Sequence, residues 1–322
     1  MISLMYYGLK DIAISDIDIQ DDTYRISTPT AIDDLTASIR RVGLLNPPLL
    51  KPRQDQYVIV SGHKRVEAIR KLGFANISAR LLLEDTVFLD CVRLAISDNV
   101  VHRKLNLVEI ARCLSMLTRC IGDPALMFDE AHHLGLPGNH QYFQKVLKIN
   151  QFPDTVAAGL AEGKISLNIA TELQRFGYDS ADQLATLFRT LKINQNKQKE
   201  ICTHLKEIAI RENLTVQTVM DDFSFSDLIA DTSLSNQHKT NAIRSHLRKR
   251  RFPHIWKAQE QNRQALKALK LDKALQIQPP DYFEDTSFTL HFSFENKDEF
   301  KQQVARLERM LTNPSLDQLF KR

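Results

Sequence analysis

The sequence predicts a multidomain α+β protein, and three observations carry that reading. Runs of β-branched residues alternate with helical stripes up to about residue 105. From Asn106 the chain becomes a series of helical segments punctuated by glycine and proline. Near the C-terminus, phenylalanine alternates with polar residues ahead of one more helical stripe. This divides the chain into a small α/β module at 1–105, a mostly helical domain at 106–221, a linker and basic helical segment at 222–280, and a strand–helix element at 281–322. A length of 322 residues is enough for two or three cores.

The elements follow in order. Ile12, Ile14, Ile17 and Ile19 mark an N-terminal strand region. Leu35, Ile39 and Val42 form a helical stripe that ends at Gly43. Pro47 and Pro48 keep the next stretch extended, and Leu49–Lys51 with Tyr57–Val60 reads as a hairpin. A helix opens after Gly62 with Val66, Ile69 and Leu72 on one face, then Ile77–Leu83 reads as a strand and Val87–Ser97 as a helix. The helical part breaks at Gly122–Pro124, Pro137–Gly138, Pro153, Gly163, Gly177 and near Asn194. Asp221–Gln237 reads as a linker and Gln278-Pro-Pro-Asp281 as a rigid break. Phe288, Leu290, Phe292 and Phe294 give a strand with one buried face, and Phe300, Val304, Leu307 and Leu311 give the last helix. One strand and one helix cannot bury themselves. This element must pack on the rest of the chain or on another copy.

Composition bounds the function. With 43% hydrophobic and 25% charged residues the chain reads as soluble, and no apolar run approaches the roughly 20 residues of a membrane helix. The first residues carry no early cationic region, so no signal peptide is expected and the expected location is the cytoplasm. Cys91, Cys113, Cys120 and Cys202 form no CxxC pair and read as reduced thiols. The net charge of +4 is unevenly spread. Between Asn241 and Lys273, Arg244, Arg248, Lys249, Arg250, Arg251, Lys257, Arg263, Lys267, Lys270 and Lys273 face only Glu260 and Asp272. Such an excess suits a polyanion or forms a solvated helical face.

Three constellations carry chemistry. At Ser61-Gly62-His63-Lys64-Arg65 a strand turns on glycine into a helix, whose free N–H groups and flanking cations attract a phosphate; the plain alternative is a junction with solvated basic residues. At Ala125–Ile149, Ala131 and Gly135 fit a helix-turn-helix. Its second helix turns Phe143, Val146 and Leu147 inward, and Asn139, His140, Gln141, Gln144, Lys145 and Lys148 outward as base- and phosphate-contacting types. A helical hairpin without DNA also fits that spacing. At Ser97–Arg103, Asp98 and Asn99 are oxygen ligands of the kind magnesium accepts, and they equally fit a capped helix end.

In this order the pieces resemble the ParB-type partition proteins. The resemblance runs through Tyr24-Arg25, Leu35–Ile39 with the Gly43-Leu-Leu-Asn-Pro47 loop, Gly62-His-Lys-Arg65 at the Gly-Glu-Arg-Arg motif, Asp98-Asn99 at the Glu-Asn motif, Leu105-Asn106 with Glu109 and Ala111, and Phe152-Pro153 with Gly163–Ser166 and Ala170. It implies a ParB/sulfiredoxin-like α/β module that binds CTP with Mg2+, a helix-turn-helix that recognises double-stranded DNA, and a homodimer acting as a nucleotide-gated clamp on the nucleoid in partition or mobile-element maintenance. Carried over by position, Gly62, His63, Lys64 and Arg65 cradle the triphosphate, Arg25, Leu45, Asn46, Pro47 and Arg103 surround the nucleotide, and Asp98 and Asn99 approach the metal. Arg248, Lys249, Arg250 and Arg251 add a basic surface for DNA. Asn46 stands where the family has glutamine and His63 where it has glutamate, both positions associated with hydrolysis, so CTP turnover is expected to be weak or absent. The family's arginine-bearing N-terminal tail has no counterpart, so a ParA-like ATPase partner is not expected. Two rivals stand: a transcription regulator whose module has lost its ligand, and a nuclease- or kinase-type enzyme on the same fold.

Overall fold

The computed structural model describes residues 6–29, 31–222, 225–269, 275–278, 288–313 and 316–317. Lys270, Lys273 and the Pro279–Asp281 part of the expected rigid break lie outside them. The chain divides into two compact units, Met1–Gln195 and Asn196–Arg322.

In the first unit, β1 (Tyr6–Ala13), β2 (Ile17–Asp18), α1 (Asp33–Val42), β3 (Leu49–Arg53), β4 (Gln56–Ser61), α2 (His63–Lys71), β5 (Asn76–Leu82) and α3 (Phe88–His102) form the α/β part. The mixed sheet has the order β1-β5-β3-β4-β2. The expected hairpin is present, with β3 and β4 antiparallel and Lys51 opposite Val58. Leu50, Ile59, Ile77 and Ala79 of the sheet pack against Ile39 of α1 and Val66 and Ile69 of α2 in one core. Helix α3 runs about five residues past the expected end, so Asp98 and Asn99 lie within it rather than at its terminus.

Helices α4 (Leu107–Cys120), α5 (Pro124–His133), α6 (His140–Leu147), α7 (Asp154–Ala161), α8 (Leu167–Gln174) and α9 (Tyr178–Thr190) complete this unit. The boundary expected at residue 105 therefore falls inside one compact unit. The second unit contains α10 (Gln195–Glu212), α11 (Val216–Asp221), α12 (Phe225–Ala230), α13 (Asn236–Arg251), α14 (Pro253–Ala268), the antiparallel pair β6 (Leu275–Gln278) and β7 (Thr289–Phe292), and α15 (Lys297–Leu311). The stretch expected to be a linker is partly helical, and Lys239 Nζ of α13 donates to the Ile229 carbonyl at 2.6 Å.

The expected buried face of the C-terminal strand is only partly covered. Leu290 is 40% exposed, Phe294 50% and Phe300 39%, while Phe292, Phe294 and Phe300 cluster with ring centroids 5.0–6.0 Å apart. No helix among the described residues is long and apolar enough to cross a membrane.

Leu50 is fully buried at the centre of the sheet core. Leu50→Ala is expected to destabilise the first unit by about 2–5 kcal/mol, read as a lowered urea midpoint by circular dichroism.

Candidate functional sites

Strand β4 passes into α2 through Gly62, whose φ of +99° is left-handed. A Cβ at this position would sit 2.8 Å from the Pro48 Cβ and 3.1 Å from the Arg65 Nε. Conformation and space both require glycine there. No side chain caps α2, and a helix start of this kind favours anions.

A cleft of about 250 Å³ opens at this turn. It gathers Asn46, Gly62, His63, Lys64, Arg65, Asp98, Asn99 and Arg103 from the sequence reading, together with His102. It also uses Ile26, Ser27, Leu35 and Ser61, which that reading did not assign. Three expected residues stand outside the lining: Leu45, which is 77% exposed, Pro47, and Arg25, which lines a different cleft. Arg25 instead binds Glu67 at 2.6 Å and Asp22 at 3.2 Å. Pro47 contributes its carbonyl, which accepts from Arg65 Nη1 at 3.2 Å.

Arg65 closes one wall. Its Nη1 also donates to the Asn46 carbonyl at 2.9 Å, and its Nη2 donates to Asp98 Oδ2 at 2.9 Å. Ser61 Oγ donates to the same carboxylate oxygen. Burial alone would raise the Asp98 pKa, but Ser61 and Arg65 outweigh it and hold the carboxyl below its ordinary range. Lys64 is shifted down, first by burial and then by the nearby Arg103 cation. Arg103 Nη2 donates to Asn99 Oδ1 at 3.0 Å, and Arg103 Nη1 to Glu109 Oε2 at 2.6 Å.

Glu109 is 1% exposed. It also accepts from the backbone N–H of Asn106 and of Thr28, each at 3.0 Å. Arg112, one turn further along α4, donates to the carbonyls of Ile26 at 3.2 Å and Ser27 at 2.9 Å. The cleft-lining segment Ile26–Thr28 is thus fastened to α4. Burial would raise the Glu109 pKa, but Arg103 and the two N–H groups prevail and lower it.

His63 differs from the expected triphosphate contact. The residue is 6% exposed, and its Nε2 is buried without a partner. Burial, aided by the Arg25 charge, depresses its pKa to about 4, so the ring is neutral near pH 7. No group of three or more His, Cys, Asp or Glu side chains among the described residues is arranged to hold a metal.

Helices α5 and α6 flank a turn at Gly135, φ +81°. Phe143 and Val146 are buried, whereas Asn139, His140, Gln141, Gln144, Lys145 and Lys148 are exposed. Asn139 caps α6 by accepting from the Tyr142 N–H at 2.9 Å, and the His140 ring meets Phe128 edge-on at 4.0 Å. Those two side chains stabilise the helix start; Gln141, Gln144, Lys145 and Lys148 form the outward row. The second helix ends at Leu147, and Lys148 begins a 3-10 turn through Gln151. Helix α3 touches this pair: Arg93 Nε donates to Glu130 at 2.7 Å.

Three arginines of the basic stretch are paired within the chain. Arg250 binds Glu212 at 2.6 Å and Asp222 at 2.8 Å, and Arg251 pairs with Glu207. Arg244 binds Glu200 at 2.8 Å. These arginines tie α13 to acidic residues of α10 and to Asp222, which a count restricted to 241–273 leaves out. Arg248 and Lys249 remain exposed, with Lys249 Nζ 4.1 Å from the Trp256 ring centroid.

Residues 6–97 match the ParB N-terminal domain. The chain is 27% identical over 146 residues to a probable chromosome 1-partitioning protein ParB of Deinococcus radiodurans, covering 45% of this chain and 48% of that protein. It is 24% identical over 172 residues to a nucleoid occlusion protein of Oceanobacillus iheyensis, covering 52% and 58%. The chain thus spans about half the length of these curated relatives. A C-terminally truncated ParB from Caulobacter crescentus, solved with CTP-gamma-S, aligns over 56% of this chain and 99% of its own at 22% identity, with a TM-score of 0.27.

The buried groups set a pH response. An unfolded histidine titrates near 6.5, whereas His63 in the fold titrates at about 4. Between these values the unfolded chain binds the extra proton, so stability falls as pH drops from 6.5 toward 4. Asp98 and Glu109 have lowered pKa values, so their stabilisation is complete above the usual carboxylate range and is lost as pH falls through the lowered values. His63→Asn should flatten the decline between about pH 7 and about pH 5 and leave the steeper acid limb. Urea midpoints across pH test this; an unchanged profile contradicts it.

Proposed function

Since the chain is a divergent member of the ParB-type family, we propose that it is a nucleotide-gated clamp on double-stranded DNA, with CTP as the nucleotide. The observation that carries this is the meeting of Lys64, Arg65 and Arg103 with Asp98 and Asn99 at the Gly62 turn. Three cations at an uncapped helix start suit a triphosphate. One carboxylate beside them suits a magnesium ion that arrives on the phosphates, since magnesium in such sites takes only one or two protein carboxylates. In this reading Gly62 and Lys64 hold phosphates, Arg65 exchanges part of its bond to Asp98 for the nucleotide, and Asp98 and Asn99 lie toward the metal. CTP with Mg2+ supplies the charge that the cleft is built to neutralise.

In this reading CTP turnover is weak or absent. Asn46 is one methylene shorter than glutamine, and His63 is neutral and enclosed. Neither supplies the carboxylate or long amide that would orient a water.

DNA is read by the α5–α6 pair through Gln141, Gln144, Lys145 and Lys148, with Arg248 and Lys249 as further basic contacts. The partly exposed cluster of Phe292, Phe294 and Phe300 is covered by a second copy of the chain, giving a homodimer. The protein acts on the nucleoid, in partition or mobile-element maintenance. A regulator without nucleotide is the second reading, and one observation favours it: Arg65 already has three acceptors within the chain.

Calorimetry with CTP, ATP and GTP, with and without duplex DNA, decides between them. Arg65→Ala should weaken CTP binding by about 10- to 100-fold, the range of a lost charge-assisted hydrogen bond, and spare DNA recognition. Gln144→Ala with Lys145→Ala should do the reverse. Heat from none of the three nucleotides would leave the regulator standing.

A further inference from the structure

A second cleft, about 420 Å³, lies between the segment Asp22–Pro29, one face of α4 and the turn after α6. Its lining shares no residue with that of the Gly62 cleft. Arg25, Arg112 and Arg119 converge on it, together with Ser115 and Asn150. Arg112 and Arg119 are seven residues apart, two turns of α4, and so share a face about 10 Å long.

The charge there is incompletely neutralised. Arg25 is held by Glu67 and Asp22. Arg112 donates only to the neutral carbonyls of Ile26 and Ser27. Among the described residues, no carboxylate forms an ion pair with Arg112 or Arg119. Two guanidinium groups that pair with no carboxylate, in a concave wall whose one acidic residue, Asp22, is engaged by Arg25, match the geometry of phosphate recognition.

We propose that this cleft is a second phosphate site, occupied by a backbone phosphate of the duplex that the α5–α6 pair engages. The proposal rests on the DNA-binding reading above. Two features favour polymer backbone over a second nucleotide. The lining offers no aromatic ring or broad apolar wall on which a base would stack, only Met116 and Pro29. Asn150 belongs to the 3-10 turn that begins at the outward-facing Lys148, so the cleft continues from the end of the reading helix. Backbone contacts of this kind fix position on the duplex without reading sequence.

The test uses the full chain and measures duplex binding by fluorescence anisotropy over a range of salt. Arg119 is exposed in the last turn of α4, so Arg119→Gln should fold with an unchanged melting curve. Removal of one phosphate contact should weaken binding about 3- to 10-fold for any duplex sequence and lower the salt slope by about 1. Arg119→Glu should weaken it further. A Gln144→Ala control should instead lose sequence preference and keep the slope, which separates failure of this site from failure of the helix-turn-helix reading. Calorimetry with inorganic tripolyphosphate forms the second arm. If wild type and Arg119→Glu bind duplex with the same slope, the site is refuted. If the substitution abolishes tripolyphosphate binding and leaves DNA unaffected, the occupant is a free polyphosphate and the backbone assignment is refuted.

Discussion

The enclosure of Glu109 is the constraint on which the first unit is built. A carboxylate that is 1% exposed loses nearly all its hydration, and an unpaired charge in that position would be very costly. It is instead met by Arg103, by the N–H of Asn106 and by the N–H of Thr28. Each partner belongs to a different piece of the structure. Arg103 ends α3 and lines the Gly62 cleft, Asn106 starts α4, and Thr28 follows the cleft-lining Ile26 and Ser27. The carboxylate therefore fixes the distance between the cleft and the helical part. For this reason residue 105 is not a flexible boundary, although composition and periodicity both change there.

Local patterns in this chain are legible from sequence, and ties between distant segments are not. The Gly62 turn could be read because glycine followed by two cations and a helical stripe is a local pattern. The α5–α6 pair was likewise local, and its inward Phe143 and Val146 followed from spacing alone. Ile26 and Ser27 could not be assigned to the cleft, because their placement depends on partners in α4 some 80 residues away. Arg250 and Arg251 failed as a free basic surface for a related reason. Charge counting along a segment is blind to carboxylates on another helix, here Glu207 and Glu212 of α10. Leu45 and Arg25 were placed by family position, and the fold turns one to solvent and the other toward a different wall.

The two clefts divide their cations by the groups that hold them. In the Gly62 cleft, Arg65 and Arg103 are bound to the carboxylates Asp98 and Glu109. A phosphate entering there would compete with an existing ion pair. In the other cleft, Arg112 is bound to carbonyls and Arg119 extends from the helix end, so an anion adds to the network without displacing a carboxylate.

Arg112 connects these two situations. One edge of its guanidinium holds the carbonyls of Ile26 and Ser27, which line the first cleft, while the side chain itself lines the second. A carbonyl acceptor leaves the full positive charge of the arginine in place. A phosphate drawn to that charge would fix Arg112 more firmly, and with it the wall of the Gly62 cleft that Arg112 supports. If the two proposals above hold, the backbone of a bound duplex would in this way steady the segment Ile26–Thr28 through a contact that reads no base, and the physical link between the two clefts would be one side chain long.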